Sequence, residues 1–80
     1  MKVDSRAMLT VNVDIMDRLI NGQIGTIKHI LSEHGKVFKI YMKFDDPRAG
    51  VKKMNADPFS RQHSFVPLEK AEASIQTKKE

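Results

Sequence analysis

Apolar residues recur at every second position over much of this chain, the period of strands with one face buried. Residues 6–12 alternate in this way, with Ala7, Leu9 and Val11 on one face. Residues 14–20 break the rhythm: Asp14 can cap a single helical turn that points Ile15, Leu19 and Ile20 inward. Asn21-Gly22 marks a tight turn, because both residue types tolerate a positive φ. Residues 23–31 predict a second strand, apolar on both faces, with Ile24 and Ile30 on one side and Ile27 and Leu31 on the other. Gly25 inside it signals a bulge or the close passage of another backbone.

Residues 32–35 close a hairpin onto Lys36–Phe44, the most regular stretch of all. Here Phe38, Ile40, Met42 and Phe44 face a core, and Val37, Lys39, Tyr41 and Lys43 face water. Residues 45–50 are turn chemistry, residues 51–54 a short strand, and residues 55–64 a polar loop in which Phe59 stands alone. Residues 65–68 and 71–75 read as short alternating strands, the second with Ala71, Ala73 and Ile75 on one face. About five short strands joined by Gly and Asx turns predict a barrel or a compact roll. The expected domain covers residues 1–76, with residues 77–80 a fraying tail.

Composition narrows the picture. Eighty residues make one domain with a thin stability margin. At 40% hydrophobic and 30% charged residues, the chain is globular and not disordered. The absence of cysteine excludes disulfides and thiolate metal sites, and suits an intracellular protein. No apolar run approaches the roughly 18 residues of a membrane helix. Met1-Lys2-Val3-Asp4 lacks the apolar stretch of a signal peptide.

The distribution of charge says more than the net value of +4. Seven bases (Lys28, Lys36, Lys39, Lys43, Arg48, Lys52 and Lys53) and three acids (Glu33, Asp45 and Asp46) lie between Lys28 and Lys53, so this segment carries the whole excess. A basic segment in an otherwise neutral domain points to a polyanion, although lysines also serve as solvated strand faces. Lys39-Tyr41-Lys43 is the one constellation with a binding rationale: spacing of two puts a ring between two cations, where a base stacks and phosphates meet the ammonium groups. Lys28, Lys36, Lys52 and Lys53 complete the candidate nucleic-acid surface. The competing reading packs Tyr41 on a neighbouring strand.

Catalytic chemistry is missing. No phosphate loop, dinucleotide fingerprint or nucleophile elbow occurs. His29, His34 and His63 lack metal-ligand spacing, and His29 reads as a partly buried polar residue on the Ile27 and Leu31 face. Asp45-Asp46 is a carboxylate pair, but one that precedes a proline in a turn.

Two stretches carry a resemblance. Ser5-Arg6-Ala7-Met8-Leu9-Thr10-Val11-Asn12-Val13-Asp14 and Asp17-Arg18-Leu19-Ile20-Asn21-Gly22-Gln23-Ile24-Gly25-Thr26-Ile27 resemble the Pif (petite integration frequency) group of superfamily-one DNA helicases, in a segment of the type GARVMLTxNxD…DGLVNGxxGTV. Tyr41-Met42-Lys43-Phe44-Asp45-Asp46 and Val66-Pro67-Leu68-Glu69 resemble metazoan members, including those of rolling-circle transposons. Ser5 and Arg18 depart from the pattern, each standing where it often has glycine.

The resemblance implies a mainly β fold, a small SH3-like five-stranded barrel with one short helical turn. In the group this is the 2B domain inserted in the second RecA-like domain, with Asn21, Gly22 and Gly25 as its structural turn motif. It implies a monomeric domain that positions single-stranded DNA against the RecA-like motor domains of an ATP-dependent 5′ to 3′ DNA helicase acting in replication, repair, recombination or transposition. ATP and Mg would belong to that motor, in a nuclear or mitochondrial parent; the fragment itself would need no cofactor and catalyse nothing, with Met1 a cloning start. Three other readings fit the same residues: a structural lever or docking module, a stand-alone RNA-binding barrel, and an adaptor for proline-rich peptides. The adaptor suits the chain least, because such grooves are lined with several aromatics.

Overall fold

The two longest strands form one hairpin. In the computed structural model, which describes residues 2–77, β2 (Ile24–Glu33) pairs antiparallel with β3 (Lys36–Phe44) through a two-residue turn at His34-Gly35. Both turn residues have positive φ, 52° and 77°, which matches the twist of the flanking strands. β1 (Arg6–Leu9) adds to β2, and β4 (Val66–Glu69) adds to β3. β5 (Ile75–Thr77) adds to the outer side of β1, giving the order β4-β3-β2-β1-β5. The fold is mainly β, five antiparallel strands in one barrel-like sheet that stays open between β4 and β5. A cleft of about 380 Å³ lies at that seam, lined by Val37, Ile40, Leu68, Ala73 and Ile75 among others.

Two bulges reset the faces that strict alternation predicts. Ile27 pairs with Met42 and His29 with Tyr41, which leaves Lys28 as the extra residue of β2. Ile30 therefore packs on the core that Ile27 also enters, and His29 turns outward and is exposed, instead of sharing the Ile27 face. Leu31 pairs with Lys39 and Ser32 with Val37, leaving Phe38 extra in β3. Val37 accordingly packs on the core, and Phe38, predicted inward, is 47% exposed. The remaining alternation holds: Ile40, Met42 and Phe44 join Ala7, Leu9, Leu19, Ile27, Val66 and Leu68 in the core.

The two helices lie where the sequence predicts none. Residues 14–19 form one hydrogen-bonded turn and not a helix: the Asp17 N–H donates to the Asp14 carbonyl at 3.2 Å and to the Asp14 side chain at 3.3 Å, the cap that the sequence predicts, and the Arg18 N–H to the Ile15 carbonyl at 3.1 Å. The backbones of Asp14 and Leu19 bond each other in both directions, at 3.1 and 2.9 Å, and close a loop. Only Leu19 of the three predicted inward residues is buried; Ile15 is 67% exposed and Ile20 is exposed as well. β1 stops at Leu9, so Val11 does not reach the core. The predicted strand at 51–54 is instead helix α1 (Val51–Asn55), and the predicted polar loop holds helix α2 (Pro58–His63).

Local chemistry explains both helices. Gly50 precedes α1 with φ 78°, and a Cβ there would overlap the methyls of Val66, so shape and conformation both demand glycine. The Asp57 side chain accepts the Ser60 backbone N–H at 3.2 Å, and Pro58 occupies the first helical position. Residues 70–73 turn on the Glu69 carbonyl, so the last strand begins only at Ile75, and Ala71 is exposed while Ala73 and Ile75 pack on the core. Thr77, assigned by sequence to the tail, pairs with Ala7; residues 78–80 lie outside the described residues. Among the described residues no helix is long and apolar enough to cross a membrane.

Candidate nucleic-acid interface

The outer face of the β2–β3 hairpin carries most of the side chains singled out by sequence. On β3, Lys39, Tyr41 and Lys43 alternate with the core residues Ile40, Met42 and Phe44 and so point away from the core. Tyr41, however, is 5% exposed and does not face water. Helix α2 lays Phe59 against it, with ring centroids 5.0 Å apart at 65°, and His29 flanks it from β2 at 5.7 Å. The Lys39 ammonium sits 5.2 Å from the Tyr41 ring centroid, a cation–π distance.

The rings left at the surface belong to residues outside the predicted site. Phe59 is 39% exposed, and His29 and His63 are exposed. Phe59 lies 5.7 Å from His29 and 4.5 Å from His63, and Phe65 stacks on His63 at 5.4 Å and 17°. The signal that could have found this cluster was Asp57-Pro58-Phe59-Ser60, an N-cap followed by proline, which starts a helix and gives Phe59 and His63 one face.

The lysines are spread along the hairpin and α1 and form no single patch. Lys28, at its bulge, reaches Asp4 at 3.0 Å. Lys36 stands exposed beside the hairpin turn, opposite Glu33. Lys43 lies seven residues further along, roughly 23 Å at the rise of an extended strand. Lys39 and Lys53 share a cleft with Asp57, Glu69 and Glu72, and Lys53 pairs with Glu72 at 2.7 Å. Lys52 is exposed on α1. Lys36, Lys39, Lys43 and Lys52 therefore carry charge with no ion-pair partner among the described residues, and of these Lys39 lies over a ring, with Lys43 two residues beyond Tyr41 on β3.

The predicted turn residues act structurally. Asn21-Gly22 forms a turn with Gly22 at φ 102°, and the Asn21 N–H donates to the Asn12 side chain at 2.8 Å. Gly25 is the point where the β3 backbone passes closest: a Cβ there would lie 2.7 Å from the Lys43 carbonyl oxygen.

The carboxylates are committed to structural partners. Asp45 forms a two-pronged pair with Arg6, whose hydrogen bonds hold its carboxyl below the usual range. The Arg48 backbone N–H does the same for Asp46, and the Ser60 hydroxyl, at 2.6 Å, for Asp57. The Asp45-Asp46 pair is thus ionised at neutral pH and is not a proton donor. Among the described residues no group of three His, Asp or Glu is placed to hold a metal ion. No protein-family model, curated protein or solved structure matches the chain.

Proposed function

We propose that this chain is the 2B-like accessory domain of a Pif-type, ATP-dependent DNA helicase and contacts single-stranded DNA through the outer face of β3 and α2. One observation carries the contact: the Lys39 ammonium sits at a cluster of rings that stays partly exposed, and Lys43 follows it on the same face of β3. The helicase parentage rests on the sequence resemblance and gains support from Arg18. It occupies the left-handed region, φ 59°, where the group's pattern often has glycine. On this reading ATP and Mg act in the RecA-like motor domains, which are the barrel's protein partners, inside the nucleus or mitochondrion.

Few phosphates are within reach, so the isolated domain should bind weakly, with a Kd on the order of 10⁻⁴ M or weaker at physiological salt. A low-salt NMR titration with oligo-dT is expected to move amide signals at Lys39, Lys43 and Phe59. A titration that leaves all three in place removes the DNA contact.

A second reading has its own observation. Met16 is 91% exposed and Ile15 67%, an apolar tip on the loop before Asp17. With the lysines dispersed, this tip favours a docking lever on the motor domains. Charge reversal at Lys39 and Lys43 that leaves oligo-dT binding unchanged would move the function to this tip.

A further inference from the structure

We infer that Phe59 is a stacking surface for a nucleobase, so that this face holds bases as well as phosphates; the inference rests on the single-strand reading above.

Phe59 is placed by a dedicated piece of structure. Asp57 caps α2, its carboxylate accepting the N–H and the hydroxyl of the fully buried Ser60, and Pro58 fixes the entry angle. Ser64, at φ 59°, ends the helix and returns the chain to Phe65. This six-residue helix holds Phe59 over Tyr41 and yet leaves 39% of it in water. His29, Tyr41 and His63 meet the ring at tilts of 45°, 65° and 48°, so none of them lies parallel to its face. They fix the ring laterally, which removes the entropy that a free side chain would lose on binding.

The surroundings select the ligand. Lys39 approaches from the Tyr41 side, close enough to help hold the Asp57 carboxyl down, and Lys43 follows two residues beyond Tyr41 on β3. A planar π-surface edged by two imidazoles, with the Lys39 ammonium on the adjoining Tyr41 ring, fits an unpaired base with a flanking phosphate. The aliphatic surface that a protein partner would favour lies elsewhere, at Ile15 and Met16.

The test uses the whole 80-residue chain and two probes, oligo-dT and an abasic oligomer of equal length that keeps the phosphates and loses the bases. The chain is expected to bind oligo-dT at least about fivefold more tightly than the abasic oligomer, the effect of a single base–aromatic stack. Phe59→Leu, which keeps most of the packing on Tyr41, should abolish that preference, and Phe59→Trp should retain it. Equal affinity for the two oligomers overturns the stacking role and leaves the phosphate contact standing. Binding to neither oligomer overturns both. The two-probe comparison on the unaltered chain decides the matter even if Phe59→Leu unfolds.

Discussion

The carboxylate of Asp17 accepts the backbone N–H of Lys52 at 2.9 Å, and that of Lys53 at 3.1 Å, so a loop 35 residues earlier in the chain caps helix α1. The Asp17 carbonyl also accepts the Gly50 N–H at 2.8 Å. Asp17 is buried, so the two amides it satisfies have little recourse to water, and its negative charge lies at the positive end of the helix. Asp17→Ala should cost about 2 kcal/mol, and Asp17→Asn, which keeps one acceptor, about half of that. Urea unfolding at constant m-value measures both. A loss under about 0.5 kcal/mol for the alanine variant would show that the bond does not hold α1 in place.

Arg18, the next residue, pays for its position. Its φ of 59° is unfavourable for a residue with a Cβ, and its side chain is exposed. Arg18→Gly is therefore expected to raise stability by about 0.5–1 kcal/mol, against the usual direction for added glycine. Thermal unfolding checks the sign; a lowered Tm would mean that Arg18 makes a contact worth more than its strain.

These two neighbours show where the sequence was legible. The resemblance pattern marked Asp17 and Arg18, but nothing in the local pattern tells that Asp17 serves a helix on the far side of the chain. The first four strands were legible because Ala7, Leu9, Ile40, Met42, Val66 and Leu68 keep a period of two, whereas the predicted strand at 71–75 meets β5 only at Ile75 and the one at 51–54 is helix α1. The bulges at Lys28 and Phe38 were not, because a bulge costs one residue of register and leaves composition unchanged. Of these two slips, the one in β2 moved His29 outward and the one in β3 moved Phe38 out of the core. The candidate site shifted for a different reason: α2 is only six residues long, too short for a helical period to show, and it covers Tyr41 while presenting Phe59.

Acid should weaken the fold through Asp45 and Asp57. Hydrogen bonds from Arg6 and Ser60 hold these carboxyls below their ordinary value of about 3.9. A folded-state pKa below the unfolded one adds stability above the unfolded value, and this is lost as the pH falls through the folded value. The urea midpoint should thus be flat near neutrality and fall below about pH 4. Arg6→Gln should lower the midpoint at pH 7 and meet the unaltered chain at low pH. A constant gap at all pH values would exclude the Arg6–Asp45 pair as its source.

Two glycines are predicted to tolerate no side chain. A Cβ at Gly25 would press on the backbone of β3, at the Lys43 carbonyl and the Phe44 Cα, and backbone cannot swing aside as a side chain does. Gly50 combines overlap with Val66 and a left-handed φ. Gly25→Ala and Gly50→Ala should each cost about 2–4 kcal/mol, enough to unfold much of a domain this small at 37 °C. Circular dichroism and thermal melts read the loss. A Gly25→Ala chain that melts like the parent would mean that β2 and β3 can separate locally without cost.

The salt dependence of oligo-dT binding separates the lysines by position. Each phosphate neutralised on a single strand contributes about −0.7 to the slope of log K against log salt concentration. Lys39 sits over the Tyr41 ring and Lys43 follows on the same face of β3, so two contacts and a slope near −1.4 are expected. Lys43→Gln should bring the slope to about −0.7, whereas Lys36→Gln, at the hairpin turn and opposite Glu33, should leave it unchanged. Phe59→Leu carries no charge and should weaken binding at every salt concentration by the same factor, leaving the slope intact. A Lys36 effect equal to that of Lys43 would mean that the strand runs the whole length of the hairpin, and the contact surface would then be the β-sheet face itself instead of its junction with α2.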